Sequence, residues 1–171
     1  MTPLAALLKR WPLAALVISA AMLAVAHGFQ SFGHLEPCHM CLIQREAYWT
    51  AIGVAVVALL ASPALRAWPV GRVASLVLAG VFAWGLAVAV WQAGAEWKWW
   101  SAPASCASAG AGGVSLSALK ALMAGAASAP PACDKAAWVF LGLSMAGWNA
   151  VVSAILAGLS LAAAARPEKP A

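Results

Sequence analysis

The sequence predicts an all-α membrane protein, a four-helix transmembrane bundle in a single domain. The chain has 171 residues, of which 64% are hydrophobic and only 9% are charged, whereas about 25% of the residues in soluble domains are charged. It also contains four apolar runs of about 20 residues, the length that crosses about 30 Å of hydrocarbon as a helix. A soluble domain would need far more polar surface than this chain has.

Proline and polar residues separate the apolar runs. Basic residues precede the first run, and we expect it to be a retained helix because it is longer than the core of a usual signal peptide. Ser62 and Pro63 end the second run, and Pro69 precedes the third. The predicted spans are about residues 13–29, 43–61, 70–93 and 137–165, with loops at about 30–42 and 94–136.

Basic residues near the span ends indicate the orientation of the bundle, since cytoplasmic segments are enriched in Lys and Arg. One side of the predicted bundle carries the denser set of basic residues, in short segments. Four spans then place both termini in the cytoplasm and both loops outside. The tryptophans at the exit of the third span are typical of rings at a membrane–water boundary. The dense set comprises Lys9, Arg10, Arg66, Arg72, Arg166 and Lys169, and the tryptophans are Trp97, Trp99 and Trp100.

The second loop contains one stretch with helical periodicity, residues 114–123. Leu116, Leu119, Leu122 and Met123 recur in it at roughly helical spacing. This pattern fits a short helix lying flat on the membrane surface, and equally an Ala-rich helix packed within the loop.

Four cysteines lie outside the apolar runs, two in each loop. Cys38 and Cys41 form a CxxC sequence, and this spacing favours their pairing over either crossed connectivity. Their bridge would close a tiny ring and add little constraint. A bridge between Cys106 and Cys133 would close a loop of about 28 residues and contribute about 3–4 kcal/mol in the chain-entropy model. The first pair is therefore predicted to react, whereas the second is either reactive or a structural staple.

The position of Cys41 favours a reactive sulfur. It lies where the second span begins, and a helix N-terminus presents unpaired N–H groups with partial positive charge. Arg45 lies four residues further on, near the same helix face, and both features favour the thiolate. Arg45 has two other interpretations, a charge that marks the interface and one neutralised by Glu46. His39 either relays protons or lies in a hydrated loop.

Metal and haem sites fit the cysteines less well. Leu42 rather than a histidine follows Cys41, so the haem-attachment pattern is missing. Cys106 and Cys133 lack the close spacing of zinc ligands. We therefore predict no metal site.

The order of these features resembles the bacterial disulfide bond formation protein B (DsbB) family. Residues 37–45, PCHMCLIQR, place the CxxC pair in the first outer loop and an arginine four residues after it. Cys133 is followed by residues 138–149, WVFLGLSMAGWN, which join the second loop to the fourth span much as in that family. The resemblance covers nearly the whole chain in order, topology and cysteine count.

The resemblance implies a thiol oxidase of the bacterial inner (cytoplasmic) membrane with both cysteine loops in the periplasm. It would re-oxidise a DsbA-like thioredoxin-fold partner and pass the electrons to a membrane quinone, either ubiquinone or menaquinone. The partner's thiolate would attack Cys106 and release Cys133. Cys133 would then attack Cys38, and Cys41 would leave as a thiolate stabilised by Arg45. DsbA is a strong oxidant, with a reduction potential of about −120 mV, so its re-oxidation needs a stronger acceptor than glutathione.

The predicted quinone site comprises Cys41, Arg45, Gln44, His39 and Gln92. Many relatives carry a histidine before the second loop, near the position of Gln92. A glutamine there can hydrogen-bond a quinone but cannot carry the charge of an imidazolium. Nearby, Glu96 either takes a proton role or is an exposed carboxylate at the interface.

Two other classes of protein fit less well. A vitamin K epoxide reductase-like protein shares quinone chemistry, but its quinone-facing CxxC follows the loop pair in chain order, whereas here it precedes that pair. A membrane scaffold or small transporter with structural disulfides is the alternative outside the enzymes. A transporter would line its pathway with several polar residues. Asn149 is the main polar residue deep in an apolar run, and an interhelical hydrogen bond would account for it.

Overall fold

The computed structural model describes residues 3–62, 69–103, 123 and 133–166. Cys106 and the predicted surface helix, apart from its last residue, lie outside the described residues. The elements, in chain order, are helices α1 (Pro3–Lys9), α2 (Trp11–Ser31), α3 (His39–Ala61) and α4 (Val70–Glu96), strands β1 (Val139–Phe140) and β2 (Leu143–Ser144), and helix α5 (Met145–Ala164).

Four of the described helices are long and apolar enough to cross a membrane. Helices α2, α3, α4 and α5 contain 21, 23, 27 and 20 residues, and 20 residues of helix span about 30 Å. Large apolar side chains also cover the outside of the bundle, where Val57, Leu60 and Trp84 are 66%, 74% and 62% exposed. Such a surface suits hydrocarbon rather than water. The prediction of an all-α membrane protein with four spanning helices is confirmed.

Small residues let the helices approach closely. Helix α4 packs mainly against α5, and both α2 and α4 pack against α3. A Cβ atom added at Gly85 of α4 would lie 3.3 Å from the Cβ of Ala47 in α3 and 3.7 Å from the Oγ of Ser153 in α5. The absence of a side chain at Gly85 therefore lets these three helices approach closely.

The core combines aromatic and aliphatic side chains with a few buried hydroxyls. Trp11, at the start of α2, is fully buried and donates from Nε1 to Ser160 Oγ of α5 at 2.9 Å. Because hydrocarbon offers no hydrogen-bond partner, this pairing satisfies the indole N–H within the protein. The main core cluster consists of Trp11, Ala15, Leu23, Tyr48, Ala51, Leu78, Phe82, Leu156 and Ala157.

Helix α3 begins at His39 rather than at about residue 43. Cys38 is its N-cap, with extended backbone (φ −74°, ψ 169°), and the Cys38 sulfur accepts a hydrogen bond from the Cys41 N–H. The predicted span started a few residues later, and Cys41 was placed at its beginning; cysteine is not among the residues usually expected at an N-cap. Cys41 consequently lies inside the first turn of the helix.

Helix α5 begins at Met145, and the prediction that it starts at about residue 137 is wrong. Strands β1 and β2 form an antiparallel hairpin in the intervening segment. Leu141 (φ 51°) and Gly142 (φ 80°) both have left-handed backbone, as the two central residues of a tight I′ hairpin turn require. Ser144 then caps α5 by accepting from the Gly147 N–H at 3.1 Å. The hairpin brings aromatic side chains over the end of the bundle that carries the CxxC pair.

Candidate functional site

Cys38 and Cys41 meet at the N-terminus of α3. The Cys38 sulfur accepts from the Cys41 N–H at 3.3 Å, and the two sulfurs lie 2.7 Å apart as free thiols. The sulfurs of a disulfide are about 2.05 Å apart. This pair can therefore open and close as a disulfide with little movement of the backbone.

The two sulfurs are not equivalent. Cys38 is only 4% exposed, and its hydrogen bond with the Cys41 sulfur, together with burial, raises the pKa of the Cys38 thiol far above its usual value. Cys41 lies in the first helical turn, where the backbone N–H groups and the helix dipole favour negative charge. In the reduced pair, this arrangement favours the proton on Cys38 and the negative charge on Cys41.

Cys41 lines a cavity of about 410 Å³ among α2, α3, α5 and the hairpin. This volume is typical of small-molecule sites. A larger groove, of about 720 Å³, lies along α4, but none of the described residues that line it is a cysteine or has a titratable side chain. The wall of the cavity beside Cys41 is mostly apolar. Its polar and charged residues are Glu36, Cys41, Gln44, Arg45, Tyr48 and Asn149, and its larger apolar residues include Met22, Leu23, Phe29, Leu35, Trp138, Phe140, Met145, Trp148 and Val152.

Aromatic rings form one side of this cavity. Trp138 lies 5.2 Å from Phe29 of α2 and stacks on Phe140 at 5.6 Å, measured between ring centroids, with 13° between the planes of Trp138 and Phe140. Trp148 donates from its indole to the carbonyl of Phe140 at 3.0 Å. The hairpin that was not predicted thus supplies a flat aromatic wall.

Arg45 is the cation of the cavity wall. Its guanidinium donates to Gln30 Oε1 at 2.6 Å and to the carbonyl of Ala26 at 3.0 Å, both on α2. Among the residues that the structure describes, no carboxylate lies within ion-pair distance of Arg45, and Glu46 is exposed. Neutralisation by Glu46 therefore does not explain this arginine. Two acceptors on α2 fix its orientation.

Gln92 connects helix α4 to the two cysteines. Its Nε2 lies 3.5 Å from both the Cys38 and the Cys41 sulfur and donates to Glu96 Oε1 at 3.2 Å. The side chain is buried, at 4% exposed. Within the described part of the chain, the buried Oε2 atom of Glu96 has no hydrogen-bond partner.

Further hydrogen bonds connect Gln92 to the polar side of the cavity. Gln44 Nε2 donates to Gln92 Oε1 at 2.8 Å, and Asn149 Nδ2 donates to Gln44 Oε1 at 2.5 Å. The Tyr48 hydroxyl donates to Asn149 Oδ1 at 2.5 Å. All four side chains are buried. The interhelical hydrogen bond that the sequence analysis expected for Asn149 is present, and it belongs to a network that reaches the sulfurs.

Cys133 reaches the same end of the bundle from the second loop. It is 1% exposed, and it packs in one buried cluster with Cys38, Met40 and Val88. Cys133 is disulfide-bonded, and its partner is neither Cys38 nor Cys41, since both of these are free. The Cys106–Cys133 pairing stays a prediction, because Cys106 lies outside the described residues.

The fold brings together most of the side chains that the sequence analysis selected. Cys41, Gln44 and Arg45 line the cavity, and Gln92 contacts the sulfurs from behind this wall. His39 is exposed and does not line the cavity. The roles of all these residues stay predictions.

Sequence reasoning missed two contributors, Tyr48 and Gln30. Tyr48 lies seven residues after Cys41 and four after Gln44, and this spacing places all three on one face of a helix. The helical spacing alone could therefore have placed Tyr48 on the same helix face as Cys41 and Gln44. Gln30 is far from Arg45 in the chain, and no local pattern could connect them.

Comparison with known proteins points to one family. The family model described as Disulfide bond formation protein DsbB matches residues 8–163. The chain belongs to the DsbB family. Curated relatives carry the name Disulfide bond formation protein B. One from Acidovorax sp. is 35% identical over 145 residues, which cover 82% of this chain and 78% of the relative.

Two further relatives of the DsbB family show a similar match. One from Paracidovorax citrulli is 33% identical over 157 residues, which cover 88% of this chain and 83% of the relative. One from Albidiferax ferrireducens is 31% identical over 147 residues, which cover 84% of this chain and 80% of the relative. No solved structure matches the chain significantly.

Membership of the DsbB family confirms the resemblance seen in the sequence. It identifies the protein as a thiol–disulfide oxidoreductase of disulfide bond formation. Together with the four apolar helices, it makes the protein a multi-pass protein of the inner membrane.

Proposed function

We propose that the protein is a quinone-dependent thiol oxidase that re-oxidises a DsbA-like periplasmic dithiol and passes the electrons to a membrane quinone. The observation that carries this proposal is the cavity beside Cys41, which combines a mostly apolar wall with the fixed guanidinium of Arg45. A purely structural disulfide has no need of such a cavity.

The residues of the cavity fit a quinone. The stacked rings of Trp138 and Phe140 offer a flat apolar surface for a planar ring. Arg45 offers N–H groups to a ring oxygen, and Cys41 presents its sulfur to the same space. A bound quinone supplies a two-electron, two-proton acceptor.

The geometry favours a defined order of exchange between the cysteines. A Cys133 thiolate attacks the Cys38 sulfur, the Cys38–Cys133 bond forms, and the Cys38–Cys41 bond breaks. The electron pair of the broken bond leaves on Cys41 as a thiolate. The packing of Cys133 against Cys38 supports this direction, and the N-terminus of α3 and Gln92 favour the charge at Cys41.

Cys106 is the proposed entrance for electrons. The partner's thiolate attacks Cys106 and releases Cys133, and the partner's second thiolate then displaces Cys106 to leave the partner oxidised. The partner dithiol thereby loses two electrons and two protons in total. The displaced Cys106 thiolate then attacks Cys133, which re-forms the Cys106–Cys133 bond, breaks the Cys38–Cys133 bond and releases Cys38. The two electrons then lie on the reduced Cys38 and Cys41 pair, which the quinone re-oxidises. The family resemblance supports this assignment.

The proposed orientation places the cysteine end of the bundle in the periplasm and both termini in the cytoplasm. Arg166, just after α5, donates to the carbonyl of Ala5 in α1 at 2.5 Å, so the two ends of the described chain lie together. Lys9, Arg10 and Arg72 lie at the helix ends remote in sequence from the cysteines. The concentration of basic residues there supports a cytoplasmic placement.

Quinone reduction by purified protein tests the function. The full chain in detergent micelles is mixed with a reduced DsbA-like partner and either ubiquinone-1 or a soluble menaquinone analogue, and quinone absorbance is followed. We expect turnover with at least one quinone, its loss in Cys41→Ser, and normal turnover in Thr50→Ala, an exposed position on the same helix. Equal turnover in Cys41→Ser and the unchanged protein would refute the proposal.

A further inference from the structure

The buried hydrogen bonds from Tyr48 to Gln92 all run in one direction. The Tyr48 hydroxyl donates to Asn149, Asn149 donates to Gln44, and Gln44 donates to Gln92. The last amide group, Gln92 Nε2, faces the sulfurs of the CxxC pair. We call these four side chains, Tyr48, Asn149, Gln44 and Gln92, the donor chain.

The groups at its end determine the direction of the donor chain. Gln92 Nε2 contacts the Glu96 carboxylate at 3.2 Å and both cysteine sulfurs at 3.5 Å. If every amide were reversed, the Gln92 oxygen would face this carboxylate, and two acceptors in contact repel each other. The present Gln92 oxygen also lies 3.8 Å from the Cys41 thiol, which can donate to it. Each link then determines the next, because an amide whose oxygen accepts from one neighbour presents its N–H groups to the other.

The donor chain connects three helices and ends at the cysteines. Tyr48 and Gln44 lie on α3, Asn149 on α5 and Gln92 on α4, and all four are at most 9% exposed. In such a low-dielectric setting, hydrogen bonds in series polarise one another, and the terminal donor becomes stronger. Truncation of a distant member should therefore weaken or misdirect the donor at the sulfurs.

We infer that the donor chain is a positioning device that holds the Gln92 amide on the CxxC sulfurs and so stabilises the Cys41 thiolate. Gln92 touches the reacting atoms, whereas Tyr48, Asn149 and Gln44 act through it. The inference deepens the proposed function and rests on it for its place in turnover. Thiolate stabilisation itself requires no quinone, so it can be measured separately.

Gln92 and Asn149 have different roles here from the ones that the sequence predicts. Gln92 was expected to contact the quinone, but it lies outside the lining of the cavity and against the sulfurs. Asn149 was expected to be only a link between helices. The structure connects both to the sulfur that faces the cavity.

The pH dependence of Cys41 alkylation tests this inference. The reduced full chain, free of quinone and in detergent micelles, reacts with iodoacetamide at a series of pH values. The modification of each cysteine is then read by peptide mass spectrometry. A hydrogen bond to a charged group has a net value that corresponds to about one pH unit or more. We therefore expect the pH at which Cys41 alkylation is half-maximal, its midpoint, to rise by about one pH unit in Gln92→Leu. It should rise by a smaller amount in Asn149→Leu and Tyr48→Phe.

Ser160→Ala is the matched control. It removes a buried interhelical hydrogen bond, from Trp11, that has no connection to the cysteines, and its midpoint should equal that of the unchanged protein. Tyr48→Phe keeps the ring and loses only the hydroxyl, so it serves as the test if Asn149→Leu fails to fold. An unchanged midpoint in Gln92→Leu overturns the role of Gln92. A shift in Gln92→Leu with none in Tyr48→Phe or a folded Asn149→Leu overturns the role of the chain behind it.

The same variants separate this inference from the proposed function. If the unchanged protein fails to reduce any quinone while the alkylation midpoints shift as described, the donor chain stands and the quinone proposal fails. If quinone reduction is normal and no alkylation midpoint shifts, the quinone proposal stands and the role of the donor chain fails.

Discussion

The ammonium of Lys98 lies 2.7 Å from the carboxylate of Asp134 and also donates to the backbone carbonyl of Asp134 at 3.0 Å. Lys98 follows the end of α4 in left-handed backbone, with φ 61°. Asp134 directly follows Cys133, which packs against Cys38. These two bonds therefore tie the Cys133 segment to the helix that carries Gln92.

Loss of the Lys98 side chain should make the Cys133 disulfide easier to reduce, because the segment around Cys133 loses a restraint. We expect Lys98→Ala to accelerate reduction of the Cys133 disulfide by dithiothreitol about two- to fivefold, a modest factor because exposed ion pairs contribute little. Asp134→Asn should have a smaller effect, since Lys98 can still donate to the backbone carbonyl. Lys135→Ala, which alters an exposed neighbouring lysine, serves as the control. Equal rates in all four proteins would show that the ion pair does not restrain the loop.

The ion pair between Lys98 and Asp134 should weaken only at low pH. The hydrogen bond from Lys98 holds the pKa of Asp134 below its usual value of 3.8. A carboxyl with a lowered pKa in the folded state stabilises that state fully above the unfolded-state value and loses this contribution as the pH falls through the folded-state value. The reduction rates of Asp134→Asn and the unchanged protein, measured with a phosphine reductant, should differ by a constant factor from pH 7 to pH 5. The difference should vanish well below pH 3.8. A difference that is lost near pH 6 would implicate another group.

Gly94 lies under the indole of Trp100 at the end of α4. A Cβ atom at this position would overlap the ring, and Trp100 also donates to the carbonyl of Trp91 at 2.8 Å. Gly94→Ala should destabilise the protein by about 1–3 kcal/mol, as overpacked sites do, in denaturation followed by circular dichroism in mixed micelles. Gly80→Ala on the same helix meets open space and should not lower stability. Equal stability of the two variants would mean that Trp100 moves aside at no cost.

Composition and span length were sufficient to predict the bundle, because hydrocarbon imposes a simple rule on length and polarity. The sequence also selected Cys41, Gln44 and Arg45, since a CxxC followed by an arginine at helical spacing is a local pattern. These three residues line the cavity, and their roles stay predictions. The hairpin before α5 was missed, because its apolar residues extend the hydropathy of the span, and a single Gly142 is a weak turn signal.

Contacts between distant segments could not be predicted from the sequence. The hydrogen bonds of Arg45 to Gln30, and of Asn149 to Gln44, join residues on different helices whose rotation about their axes is set by packing. Helices that are apolar on nearly all sides have little amphipathic pattern from which that rotation could be read.

Arg45 provides the sharpest test of the cavity. Arg45→Lys keeps the charge but loses the planar guanidinium, which donates to Gln30 and to the Ala26 carbonyl at the same time. We expect the KM for quinone to rise about tenfold in this variant and further in Arg45→Met, as loss of a charge-assisted hydrogen bond would cause. Gln30→Ala should raise it less, since Ala26 still accepts from the guanidinium.

Glu46→Gln is the matched control for these variants, because Glu46 is exposed and makes no ion pair with Arg45. Its KM for quinone should equal that of the unchanged protein. The partner KM should stay constant throughout the series, since Arg45 faces the cavity and not the second loop. An Arg45→Lys variant that loses only kcat, with the quinone KM unchanged, would place the guanidinium on the thiolate rather than on the quinone oxygen.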